Sequence, residues 1–211
     1  MKTPRPTPKS FNAASNVPET AFFDRVRSGD IANVERVLEM RGDAVNFQQT
    51  ANGQRPLHTV AMTGNVRMAE VLVDAGADLE ARDHLGRTPL AQAARSGQQN
   101  IIAFLLTKGA DIHAPDKKGN TPLHLAAEGT SADTILMLIN RGADATRRNI
   151  DGGTPIDLAL SGGNKGMAAV IRREAEKQAG AGVPEAPVIP ETARDIDVLK
   201  PLNPRKRAPK P

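Results

Sequence analysis

Apolar residues in this chain come in short bursts at helical spacing. The clearest are NIIAFLLTKG at 100–109 and ADTILMLINRG at 132–142, where Leu and Ile fall at i, i+3 and i+4. That spacing lines one face of an α-helix. The bursts close on Gly76, Gly109 and Gly142, residues able to take the left-handed conformation that ends a helix. Upstream of each burst a shorter segment opens with RPLH (55–58), TPLA (88–91), TPLH (121–124) or TPID (154–157), the starts lying 33 residues apart. Gly53, Gly86, Gly119 and Gly152 precede those starts by two residues. Three markers with one period describe a repeated unit of two helices, which needs a neighbour to bury its apolar faces.

Each marker has a physical reason. Thr88, Thr121 and Thr154 can cap the first helix with a hydroxyl, and the Pro that follows loses nothing at the first helical position. Leu90 and Leu123 begin the buried face, and the small pair Ala126–Ala127 lets the next unit approach closely. Gly64, Gly97 and Gly163 open the turn between the two helices, and polar stretches such as DIHAPDKKGN (111–120) form an extended turn to the next unit. Two positions depart from the pattern. Arg55 replaces the capping Thr, which predicts a helix start weaker by about 1 kcal/mol. Thr130 stands where the inter-helix Gly is expected, with Gly129 one place early, which predicts an adjusted turn.

The 33-residue period, the TPLH start and the GAD helix end resemble the ankyrin repeat. The resemblance covers residues 19–179. It implies an all-α fold: an ankyrin-repeat solenoid of about five helix-turn-helix units joined by extended β-turn loops, with flexible N- and C-terminal tails. The expected layout is a tail at 1–18, a capping unit at 19–49, repeats at 50–82, 83–115, 116–148 and 149–179, and a Pro-rich basic tail at 180–211. The cap, ETAFFDRVRSGDIANVERVLEMRGDAVNFQQ, keeps the helix–Gly–helix–Gly layout without Thr-Pro. At the other end SGGNKGMAAVIRREAEKQAG supplies a final helix with a polar outer end, as a terminal unit requires.

Composition narrows the chemistry. The absence of cysteine removes disulfides, thiolate zinc sites and cysteine nucleophiles. No apolar run reaches the roughly 18 residues of a membrane span, and MKTPRPTPKSFNAASNVPE has no apolar core for a secretory signal. A cytoplasmic protein is expected. With five Phe and neither Tyr nor Trp, the core must be built from aliphatic residues, and base stacking has few platforms. The net charge of +4 comes from the tails, since residues 19–179 are close to neutral.

The repeats also serve as internal controls for catalysis. The position of His124 reads His58, Ala91, His124 and Asp157 across the units. A catalytic histidine is expected to be singular and to have an oriented partner, so this one is read as structural. The resemblance implies that it hydrogen-bonds locally and to the neighbouring repeat. His84 and His113 lack an i, i+4 partner and predict no metal site. SGGNKG (161–166) lacks phosphate-loop spacing, and its Gly163 already belongs to the repeat. Neither a catalytic constellation nor a cofactor is expected.

Binding is then the expected role. In ankyrin proteins the turn tips and first helices line a concave partner surface, which maps here onto Asn52 and Gln54, His84, Leu85 and Arg87, Lys117, Lys118 and Asn120, and Ile150 and Asp151. The first helices add Met62, Arg95 and Glu128. Arg87, Arg95, Lys117 and Lys118, with Arg82 and Arg148 nearby, make the centre basic, which suits a protein partner with an acidic segment. The expectation is a monomeric, non-enzymatic adaptor, scaffold or stoichiometric inhibitor, with no membrane and no nucleic acid as its partner. Two alternatives stand beside it. One is a nucleic-acid-associated protein using basic tails; the other is a bacterial effector delivered to a host cell. Both lean on PRKRAPKP (204–211), which reads in a eukaryotic cell as a nuclear-import signal and in a bacterium as a basic C-terminal secretion or nucleic-acid tail. PEAPVIP (184–190) spaces prolines every third residue, compatible with polyproline II but read first as a stiff linker.

Overall fold

The computed structural model describes residues 18–180, with side chains to 178. PEAPVIP, PRKRAPKP and the N-terminal stretch to residue 17 lie outside the described residues. Among those described, the chain forms ten α-helices and one 3-10 turn, Gly42–Asn46, and no strand. In chain order the helices are α1 (Glu19–Ser28), α2 (Ile31–Met40), α3 (Pro56–Thr63), α4 (Val66–Asp74), α5 (Pro89–Arg95), α6 (Gln99–Thr107), α7 (Pro122–Ala127), α8 (Ala132–Asn140), α9 (Pro155–Ser161) and α10 (Lys165–Gly180).

The odd-numbered helices form one layer, with α1, α3, α5, α7 and α9 each packed on the next. Behind them α2 packs on α4, α4 on α6, and α8 on α10. The layers share one continuous aliphatic core. Leu57, Leu90 and Leu123 recur at one position and are buried, as are Ala61, Ala94 and Ala127. The second helices contribute Met68, Leu72, Ile101, Leu105, Ile135 and Leu138. Aromatic packing is concentrated in the first unit, where Phe22 meets Phe23 and Phe47 edge-on at 6.5 and 5.9 Å. Large side chains there close the end of a stack otherwise built from smaller ones.

The helix starts follow the sequence with local corrections. Thr88 and Thr154 accept the N–H of Ala91 and Asp157 at 3.2 and 3.3 Å. At 121 the hydroxyl is directed instead to His124 Nδ1, at 2.9 Å. Arg55 has no acceptor to offer, but its own N–H donates to His58 Nδ1 at 3.2 Å, so the imidazole satisfies part of the start that lacks a Thr. The adjusted turn at 129–130 is also explained. Gly64, Gly97 and Gly163 adopt positive φ, whereas Gly129 does not. There Thr130 bonds back through its hydroxyl to Ala126 O at 2.9 Å, and Ser131 caps the next helix.

Candidate functional site

The tips between units are tight turns of matching construction. Asp83, Asp116 and Asn149 each accept backbone N–H groups from residues two or four further on, for example Arg87 N to Asp83 Oδ1 and Asn120 N to Asp116 Oδ1, both 2.9 Å. Backbone bonds then stitch tip to tip: His84 N to Asn52 O at 2.8 Å, Lys117 N to Leu85 O at 2.9 Å, and Ile150 N to Lys118 O at 2.9 Å. The glycine of each tip is the seat for this contact. At Gly86 (φ +80°) a β-carbon would lie 2.9 Å from both Lys117 N and its Cγ, and at Gly119 (φ +77°) 2.9 Å from Ile150 N. Gly152 has positive φ but no described atom over it within 4 Å, because no further tip follows it among the described residues.

These tips and the adjoining first helices enclose a central cleft of about 310 Å³. It brings together Leu85, Arg87, Arg95, Lys117, Lys118, Asn120 and Glu128, with Asp116 and Leu125 completing its wall. A second cleft, of about 390 Å³, takes Asn52, Gln54 and Met62, joined by Arg27, Gln49 and Thr59. His84, Ile150 and Asp151 line neither of these clefts but are exposed on the tips. Arg27 and Gln49 also line a hollow against the first unit with Glu19, Phe23 and Asp24. This hollow beside the first unit has no counterpart in the motif reading, because that unit has no Thr-Pro start to set the register.

Three residues expected on the binding surface border the clefts but spend their polar groups on partners within the tips. Arg87 forms an ion pair with Asp83 at 2.7 Å, the two side chains being 11% and 1% exposed. Burial pushes the Asp83 carboxyl up, but the hydrogen bonds and charge of Arg87, with the Leu85 N–H, outweigh it and hold the group below its usual range. Asn120 is buried between Asp116 and Asn149, its Oδ1 accepting Asn149 Nδ2 at 2.8 Å. Gln54 is buried too and accepts from Asn52 Nδ2 at 3.1 Å. All three close tips, and the reason is common to them: a tight turn's inward polar atoms must find partners when buried. Arg82 and Arg148 also serve the backbone, bonding Gly86 O and Gly152 O at 2.9 and 2.7 Å, and Arg82 reaches Pro115 O as well.

The outward charge is therefore narrower than the basic count suggests. Arg95 lies 3.8 Å from Glu128, both half-exposed, a separation at which pairing is weak. Lys117 and Lys118 are exposed and have no ion-pair partner among the described residues.

The histidines are held structurally. His124 Nδ1 accepts the Thr121 N–H, so Nε2 carries the proton and donates to Gly153 O at 3.2 Å in the next unit. His58 repeats this with the Arg55 N–H and Arg87 O, the latter at 2.9 Å. Burial pushes both imidazoles below their usual value, partly opposed by those carbonyl bonds. Asp157 fills the local half of the role, accepting from Thr154 N and Oγ1 at 2.8 and 2.7 Å, which hold its carboxyl low. Among the described residues no group of three or more His, Asp or Glu is placed to hold a metal ion, and no helix is long and apolar enough to cross a membrane.

A stack of antiparallel helix pairs with a row of turn tips along one edge defines a helical repeat solenoid. Models of ankyrin repeats match residues 23–116 (three copies) and 105–159 (many copies). The chain belongs to the ankyrin-repeat family. It is also similar to protein phosphatase 1 regulatory subunit 27 of Mus musculus and of Homo sapiens, at 33% identity over 70 residues. Those residues are 33% of this chain and 45% of each relative, so the match spans less than half of the relatives' length.

Proposed function

We propose that this chain is a non-enzymatic interaction module, acting as an adaptor, scaffold or stoichiometric inhibitor through the tip-and-first-helix face centred on the Lys117–Lys118 cleft. The observation that carries this reading is the pair of exposed lysines, without an ion-pair partner among the described residues, at the mouth of a preformed cleft. Stitched tips hold those ammonium groups' backbones in place before a partner arrives, which lowers the ordering cost of binding. Positive charge there favours an acidic patch and repels basic ones. The family supports a protein partner, and the relatives' name describes a regulatory subunit, a role that fits an adaptor. Near-neutral charge over 19–179 and sparse aromatics weigh against nucleic acid as the occupant of this face.

The test is affinity capture from native lysate, comparing the full chain with an R95E/K117E/K118E variant. Arg87 is left in place because reversing it would strand the Asp83 carboxylate. Loss of the captured partner from the variant is the expected outcome. An unchanged set of partners would remove this face from consideration.

A further inference from the structure

We propose that the three tips 83–87, 116–120 and 149–153 form one docking row for a short extended protein segment in which carboxylates are flanked on both sides by aliphatic side chains. The proposal deepens the reading of the Lys117–Lys118 cleft and rests on it.

Two independent features of the row point to that chemistry. The first is apolar. Among the described residues, Ile150 and Leu85 are the most exposed large hydrophobic side chains, at 75% and 57%. Both sit on tips, one on each side of Lys117 and Lys118, and each is more than half exposed among the described residues. A purely acidic partner would leave both wet, whereas an aliphatic side chain over each gains by removing apolar surface from water. The second feature is charge. The lysines between them have no ion-pair partner among the described residues, so the central part of the occupant must supply anions to be favoured over a neutral chain.

Spacing sets the length of the segment. The backbone bonds Lys117 N to Leu85 O and Ile150 N to Lys118 O fix the order Leu85, Lys117, Lys118, Ile150 along the edge. Packed helices lie about 8–10 Å apart, so units two steps apart are separated by about 16–20 Å. An extended chain rising about 3.3 Å per residue crosses that distance in about five or six residues. Lysine stems add apolar surface of their own beneath the charged heads, so the row reads as aliphatic, cationic, aliphatic. His84 and Asp151 lie alongside without interrupting that order.

The experiment selects a displayed library of random peptides on the full chain, then titrates an enriched peptide against variants by fluorescence anisotropy. Enrichment of carboxylates flanked by Leu, Ile or Val is expected. K117E/K118E should weaken the selected peptide by about tenfold or more. L85S and I150S should each weaken it by about three- to tenfold, while R67E, on the opposite layer, should change it less than about twofold. Acidic peptides that respond to the lysine reversal but ignore L85S and I150S would overturn the flanked arrangement and leave the basic cleft standing. Peptides indifferent to all of these variants would overturn both. Failure to enrich any peptide, or tighter binding of an oligonucleotide than of the best peptide, would overturn the short protein segment as occupant. Because every substituted side chain is exposed, thermal melts of the variants should superimpose on wild type.

Discussion

The tips at 83–87 and 116–120 share a backbone but direct their charge in opposite ways. In the first, Asp83 is matched by Arg87 four residues later, and the pair is buried within the turn. In the second, Asp116 is met by an amide, Asn120, and the cations move to the crest as Lys117 and Lys118. One tip therefore contributes rigidity and an apolar crest residue, Leu85; its neighbour contributes an outward charge. Counting basic residues along a repeat protein does not measure a basic surface, because a cation's position within the turn decides which way it faces.

The largest expected effect separates the two tips. D83A strands the buried guanidinium of Arg87 and should lower stability by about 3 kcal/mol or more. D116A removes the acceptor of Lys118 N, Asn120 N and Asn120 Nδ2 but strands no charge, and should lower it by about 1–2 kcal/mol. Urea denaturation of both variants measures the difference, and equal losses would show that the Asp83–Arg87 pair has no special structural weight.

Next in size is the imidazole that bridges one unit to the next. H124A leaves the Thr121 N–H without its acceptor and should be destabilising by about 1–3 kcal/mol. The converse, A91H, installs an imidazole at a buried position where the neighbouring units carry one, and should cost no more than about 1–3 kcal/mol, the range of overpacking. If A91H unfolded the chain, the units would not be interchangeable at this position.

The same histidines impose a pH dependence. The folded chain holds His58 and His124 neutral below the ordinary value of 6.5, so the unfolded chain binds more protons once pH falls past it. Stability contributed by their neutral forms is full above pH 6.5 and declines as pH drops through their lowered values. An H58Q/H124Q variant should flatten that decline in melting temperature. Asp83 and Asp157, held below the ordinary 3.8, add a separate loss in stronger acid. A profile unchanged in the double variant would assign the decline to other groups.

The smallest expected effect on stability is the one most useful for binding. K117E/K118E should change it by less than about 0.5 kcal/mol, since neither side chain has an ion-pair partner to lose. A loss comparable to that of D83A would show that these lysines are structural after all.

Much of the fold was legible because the period repeats each physical cause several times over. Caps, turn glycines and buried leucines could be checked against their own copies 33 residues away. The direction of Arg87 was not legible by that means, since the homologous positions hold Asn120 and Gly153 and no copy exists for comparison. Its only signal was the acid four residues earlier, Asp83. Thr121 misled for a related reason: a hydroxyl that caps in two units is diverted in a third by a neighbouring imidazole. The hollow against Phe23 and Asp24 was missed because the first unit carries none of the markers that set the register elsewhere.

The glycine seats carry a rule about insertions and deletions. Gly86 must lie beneath Lys117, and Gly119 beneath Ile150. Adding or removing a residue inside a tip, between its opening Asp and its glycine, would slide another residue's β-carbon into that seat and force the tips apart. Adding a whole unit of 33 would restore every seat and merely lengthen the row. Length change along the row of tips is thus quantised, and the number of tips is more easily altered than the shape of any one of them.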